Sequence, residues 1–236
     1  MNAGLFTTAN QNKMSFKTFF SEQARKPSGL FGRLVMSRVF DLGNVVLNDL
    51  MKELLLIEAN DHILEIGSGT GKLIAEMAKL VDKGFIEGID LSDTMVALAQ
   101  KKNKTHISSG KVNIRQGDFE SADFGDCCFD KICSANTIYF WSAPDTYIKK
   151  IIRLLKPGGK LVLAFEDKQQ LEKKPLSKDV FHLYHQDEIA SLLQCNGFNN
   201  DIEMLSRELK ANRYHCAVAV KKNHSSKADT YLLLER

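Results

Sequence analysis

The sequence predicts an α/β fold: a doubly wound, seven-stranded sheet, mostly parallel with an antiparallel last strand, preceded by an N-terminal helical cap. Three observations carry this expectation. Apolar residues recur with a helical period from Phe16 to Ile57, and beyond Asn60 they gather in short runs that alternate with helical segments. One of those runs, at 63–66, passes straight into three closely spaced glycines. The last two runs, at 200–206 and 213–220, lie close enough in sequence to pair as a hairpin, which turns the last strand against the others.

Taken in order, the leader reads as two or three helices, broken at Pro27-Ser28-Gly29 and followed by a long amphipathic stretch over 33–56. Strands are expected over 62–66, 85–90, 112–116, 128–134 and 160–166, with helices over 71–81, 92–102 and 145–155 between them. Ser92 offers the side-chain oxygen of an N-cap. Lys156-Pro157-Gly158-Gly159 stops the third of these helices, because Pro cannot continue a helix and Gly tolerates positive φ. A fourth helix over 186–196 ends at Gly197. The expected division is a helical cap over 1–57, a core over 58–222, and a tail over 223–236 that is polar until Tyr231.

Composition narrows the class. With 236 residues, 44% hydrophobic and 26% charged, the chain is long and apolar enough for a sizeable core, which excludes disorder, collagen and coiled coil. The longest aliphatic stretch, 54–57, falls far short of the roughly 20 residues of a membrane span, and residues 1–11 lack the apolar block of a signal peptide, so a cytoplasmic protein is expected. A net charge of +3 is too weakly basic for a dedicated nucleic-acid binder. Cys127, Cys128, Cys133, Cys195 and Cys216 are odd in number and form no C-x-x-C or zinc pattern, so free thiols and no metal are expected.

The chemistry begins at Glu65-Ile66-Gly67-Ser68-Gly69-Thr70-Gly71. Glycines at a strand-to-helix turn let the backbone approach a ligand and present helix N-terminal N–H groups. Spacing excludes two common uses. A phosphate-binding Walker loop needs Gly-Lys-Ser/Thr, and here Gly71-Lys72 is followed by Leu73. A dinucleotide fingerprint needs G-x-G-x-x-G, whereas position 72 is Lys and Glu65 stands two residues before the first glycine. A carboxylate there repels a pyrophosphate and suits a cationic ligand.

With these residues the chain resembles the class I S-adenosylmethionine-dependent methyltransferases, Rossmann-like enzymes whose first motif is an acid two residues before G-x-G-x-G. The match is Glu65, Gly67, Gly69 and Gly71, with Ser68 inside the loop. The resemblance implies that Asp90, ending the second strand and followed by Leu91, takes the ribose hydroxyls, and that Met95 packs on adenine. Gly117-Asp118-Phe119 matches the third-strand exit, where Asp118 accepts from the exocyclic amine and the Phe119 N–H reaches a ring nitrogen; alone, the segment reads rather as a solvated Asx turn. Ser134 and Asn136, at the fourth-strand exit, face the methionine portion, and Tyr139 and Trp141 follow as pocket residues or as loop packing. The series spans roughly residues 55–220, with 155–161 preceding the fifth strand.

The implied activity is methyl transfer from S-adenosylmethionine to a small-molecule acceptor, as in the quinone-biosynthesis group, by in-line displacement in which positioning is the main term. An acceptor that must lose a proton needs a base, and His182, His185, Tyr139 and Glu166 are the candidates. The exit Ser134-Ala135-Asn136-Thr137 lacks the Asn/Asp-Pro-Pro-Tyr/Phe motif of related base methylating enzymes, so no nucleic acid is expected. Neither is a membrane span; a homodimer is compatible with the sequence. In related enzymes the leader closes over the cofactor; Arg33 within it reads as surface. RNA or protein acceptors, and a non-catalytic S-adenosylmethionine-binding partner protein, are the alternatives.

Overall fold

The computed structural model describes residues 15–198, 202–209 and 212–223. Seven strands form one sheet: β1 (His62–Ile66), β2 (Phe85–Asp90), β3 (Val112–Gln116), β4 (Phe129–Ala135), β5 (Leu155–Glu166), β6 (Ile202–Leu209) and β7 (Asn212–Val220), in the order β3-β2-β1-β4-β5-β7-β6. The first five run parallel, and β7 lies antiparallel between β5 and β6. Tyr214 is opposite Glu166 and Val220 opposite Lys160, so β7 travels from the carboxyl edge of the parallel strands to their amino edge. The expected fold class is the one observed.

The helices are α1 (Phe16–Arg25), α2 (Gly29–Phe31), α3 (Ser37–Gly43), α4 (Val45–Leu55), α5 (Lys72–Met77), α6 (Asp93–Lys102), α7 (Lys104–Ser108), α8 (Pro144–Leu154), α9 (Lys168–Leu171) and α10 (Gln186–Leu193). A π-helical turn, Gly32–Met36, joins α2 to α3. Strand alternation explains why helices cover both faces. Leu64, Ile66, Ile132, Leu163 and Phe165 face Ile148 and Ile151 of α8 and Ile189 and Leu193 of α10. Ile63, Cys133, Val162 and Ala164 face Leu47 and Met51 of α4, Ile74 of α5 and Val96 of α6. Each such aliphatic side chain, buried completely, contributes about 1.5–3 kcal/mol.

Several expectations change at their boundaries, among them the helix expected over 186–196, whose α-helical part ends at Leu193 before a π-helical turn, Gln194–Phe198. Residues 78–81 lie beyond α5, which ends at Met77, and Gly71 stands before it in the left-handed region at φ 69°. Lys156–Gly159 lies inside β5: α8 stops at Leu154, Leu155 is already extended, and the pairing to β4 jumps from Phe129↔Leu155 to Lys131↔Lys160. The Pro-Gly-Gly signal therefore marks a bulge, closed by Gly158 N donating to Lys221 O at 2.8 Å. The first two residues of the strand expected at 200–206, and positions 224–236 of the tail, lie outside the described residues. Among the described residues, no helix is long and apolar enough to cross a membrane.

Candidate active site

Strand order reverses between β1 and β4, and there, at the carboxyl edge, a cavity of about 320 Å³ is bordered by Glu65–Thr70, Asp90, Gly117–Phe119 and Asn136. Crevices at such switch points are where open α/β sheets bind ligands.

The turn after β1 is folded by its own backbone. Gly67 N and Ser68 N both donate to Ile89 O, at 2.8 and 3.2 Å, which pulls the loop against β2. Gly67 has φ 75°, and a Cβ there would overlap the Thr137 methyl, so only glycine fits. Asp90 braces the loop from the end of β2: its Oδ2 accepts from Gly69 N at 2.8 Å and its Oδ1 from Ser92 N at 2.9 Å. Burial raises the Asp90 carboxyl above its ordinary value, against the pull of those two N–H groups. Ser92 caps α6, accepting from Met95 N at 3.1 Å, and its hydroxyl donates to Pro27 O in the leader.

Glu65 is the electrostatic centre. It is 4% exposed, and its Oε2 is buried without a hydrogen-bond partner, as is Ser68 Oγ. Burial, reinforced by the charges of Asp90 and Glu76, pushes its carboxyl well above the usual range. A buried acid with other acids as electrostatic neighbours is a place for a cation.

Leu91, Met95, Gly117, Asp118 and Phe119 line the cavity beside Asp90. Asp118 Oδ1 accepts from Glu120 N at 2.9 Å and Tyr147 Oη at 3.1 Å, so it is also the Asx turn its sequence allowed. Asn136 follows β4 at φ 55°; its Nδ2 donates to Asn44 Oδ1 at 2.9 Å and its Oδ1 accepts from Tyr139 Oη at 3.1 Å. The Tyr139 hydroxyl also accepts from Glu166 N at 2.6 Å. Burial pushes this phenol well above its ordinary value, making it a positioned donor and a poor base. Trp141 stacks on Tyr147 with centroids 4.8 Å apart, serving both readings: it is core, and it lines the cavity.

Three expected site residues lie elsewhere. His182 and His185 are exposed and do not border this cavity. His182 N donates to Tyr139 O at 3.0 Å, while the neighbouring Phe181 side chain takes the inward place. His185 instead precedes α10 as its N-cap, its N donating to Glu188 Oε2 at 2.6 Å. Ser134 is buried but outside the lining; its hydroxyl donates to Ile66 O at 2.7 Å and ties β4 to β1. Arg33 is exposed, as expected.

Residues that the sequence did not single out complete the enclosure. From the leader come Phe40, Asp41 and Asn44; from the segment after β5 come Leu171, Lys174 and Phe181. Asp41 accepts from the Thr70 hydroxyl and from Lys102 Nζ at 3.3 Å, fastening α3 to the glycine loop. Lys174 Nζ pairs with Glu166 Oε2 at 2.5 Å, and Gln170 Nε2 donates to the same oxygen at 2.8 Å. Asn44 stands among other polar residues of the leader, such as Asp41, Asn48 and Asp49, and nothing local sets it apart. Lys174 was hidden within a run of charged residues that reads as solvated.

An acidic, glycine-bordered cavity at the switch point of a doubly wound sheet defines a small-ligand-binding α/β protein. Known proteins narrow that class. Residues 57–217 match the family model of a methyltransferase domain. The chain is 30% identical over 178 residues to the uncharacterized methyltransferase YdaC of Bacillus subtilis (strain 168), spanning 75% of this chain and 93% of that protein. It is 29% identical over 188 residues to the ubiquinone/menaquinone biosynthesis C-methyltransferase UbiE of Shewanella sediminis (strain HAW-EB3), spanning 75% and 72%. A SAM-dependent methyltransferase from Aquifex aeolicus shares the fold at TM-score 0.60 and 22% identity, over 87% of this chain and 99% of that one. Haemonchus contortus phosphoethanolamine N-methyltransferase 2, solved in complex with S-adenosyl-L-methionine, shares it at TM-score 0.62 and 19% identity, over 76% and 53%. The chain belongs to the class I S-adenosylmethionine-dependent methyltransferase family.

Proposed function

We propose that this chain methylates a small organic acceptor, with S-adenosylmethionine as donor. The observation that carries the reading is the buried, unpartnered Oε2 of Glu65 in a cavity of ligand size. A ligand carrying both an ammonium and a sulfonium satisfies that oxygen and the surrounding acids together. Bound there, the cofactor supplies an electrophilic methyl group.

The chain's own residues supply position. Glu65 holds the ammonium, Asp90 the ribose hydroxyls, and Met95 and Phe119 flank the adenine, with Asp118 at its amine. Asn136, Tyr139, Trp141 and Phe181 shape the acceptor's space, which is largely aromatic. A flat ring suits such walls, in keeping with the ubiquinone/menaquinone biosynthesis named for the UbiE relatives. Where the acceptor carries a proton, Glu166, which borders the cavity as His182 and His185 do not, takes that role, with Lys174 as its counter-ion. The leader is the cap: Asp41 and the Ser92–Pro27 bond hold it over the cofactor.

The test is incubation of purified protein with methyl-labelled S-adenosylmethionine and a fractionated cell extract. Label in the small-molecule fraction supports the reading. Label confined to RNA or protein overturns it.

A further inference from the structure

The roof of the cavity has a second face. Ten large apolar side chains are exposed among the described residues, and seven of them lie between Phe16 and Val45. Single exposed aliphatics are ordinary; a concentration of them on one element is not. Leu30 and Leu42 stand furthest out, 75% and 78% exposed. Leu30 and Leu34 are one helical turn apart, as are Val35 and Val39, and then Val39 and Leu42, so they form rows along one side of the continuous α2–α3 helix. The same helix turns Met36, Phe40 and Asp41 into the cavity, and Val39 belongs to both faces.

The charges on this stretch are predominantly positive. Residues 16–45 hold five basic side chains, Lys17, Arg25, Lys26, Arg33 and Arg38, against Glu22 and Asp41. Both acids are already engaged, Glu22 with Arg25 at 3.1 Å and Asp41 with Lys102 and Thr70. Lys26, Arg33 and Arg38 are exposed and form no ion pair among the described residues. An isologous contact between two copies would bring these cations against their own kind. A surface that is apolar and rimmed with anions would accept them.

We propose that this outer face docks on an anionic lipid bilayer, with Leu30, Leu34 and Leu42 entering the boundary of the acyl chains while Arg33 and Arg38 meet headgroup phosphates. Long basic side chains keep their charge in the headgroup layer while their stems lie against apolar surface. The docking is peripheral and reversible, and it sets the roof of the cavity at the membrane surface. An apolar acceptor partitioned into the bilayer then reaches the site without crossing water. The docking itself requires nothing of the acceptor's identity.

Flotation with phosphatidylcholine vesicles, with and without phosphatidylglycerol, tests it. The full chain is expected to float with the anionic vesicles only and to be released by raised salt. Leu34→Gln with Leu42→Gln should weaken binding at least about tenfold, because it removes the inserted apolar area. Arg33→Gln with Arg38→Gln should weaken it comparably. Both double variants replace exposed residues outside the cavity lining, and retained binding of S-adenosylhomocysteine establishes that they are folded. Failure to bind either vesicle, equal binding to both, or unchanged binding by the leucine variant overturns the proposal. So does a wild-type dimer in light scattering that the leucine variant abolishes without any vesicle binding, which would assign the face to a second copy.

Discussion

Replacing Glu65 with Gln keeps the shape of the side chain and removes its charge, and the structure sets two opposite consequences. In the ligand-free protein the carboxyl sits well above the ordinary glutamate value of 4.5, through burial first and through Asp90 and Glu76 next. The folded chain therefore retains a proton that the unfolded chain has released. Stability on this account is greatest below 4.5 and falls as pH rises, until the folded carboxyl itself ionises. Gln has no proton to lose, so ligand-free Glu65→Gln should gain in melting temperature relative to wild type as pH rises above that point. Cofactor binding moves the other way. An ammonium paired with the ionised carboxylate is a charged hydrogen bond worth about 1.5–3 kcal/mol, so Gln should weaken affinity about ten- to a hundredfold. Melting curves across pH measure the first effect, and calorimetry with S-adenosylhomocysteine at neutral pH measures the second. Wild-type affinity in the variant, or a relative stability that declines with pH, would refute the reasoning.

Other substitutions probe the rest of the site. Asp90→Ala frees Gly69 N and Ser92 N and should lower both stability, by about 1–3 kcal/mol, and cofactor affinity, with Asp90→Asn intermediate in denaturant titrations and calorimetry. Gly67→Ala forces a side chain into positive φ and against Thr137; adding Thr137→Ser removes the obstructing methyl and should restore part of the lost melting temperature, leaving a strain of about 1–2 kcal/mol. Once an acceptor is in hand, His182→Ala should leave kcat/KM within about twofold of wild type, as expected for an exposed side chain that does not line the cavity. Glu166→Gln should depress kcat for an acceptor that loses a proton and spare one that does not, which a pH-rate comparison resolves.

The strand ends were legible because each combines two signals that agree. An apolar run of strand length stops at a residue type that either bends the chain or binds a ligand, as at Ile66-Gly67, Ile89-Asp90 and Gln116-Gly117. Parallel strands then bring those ends to one edge without any further information. Contacts across long separations were not legible. Asn44 reaches Asn136 only because α4 packs beneath the sheet, and nothing local to either residue announces the other. His182 was a candidate base because it follows the fifth strand's exit in sequence; the direction of its side chain depends on an irregular segment in which Phe181 takes the inward place. Lys156–Gly159 shows a different limit. Pro and Gly mark a break in regular structure, and a bulge within a strand satisfies that mark as well as a loop does.

The course of β7 has a practical result. Because it runs back across the sheet, the polypeptide leaves Val220 at the edge opposite the cofactor cavity, whereas α1 contributes Phe20 and Arg25 to the cavity wall. A reporter or immobilising tag joined directly after the last strand starts at the distant edge and is expected to leave cofactor affinity unchanged in calorimetry. The same attachment ahead of Phe16 sits beside the roof, and should register there as altered ligand exchange.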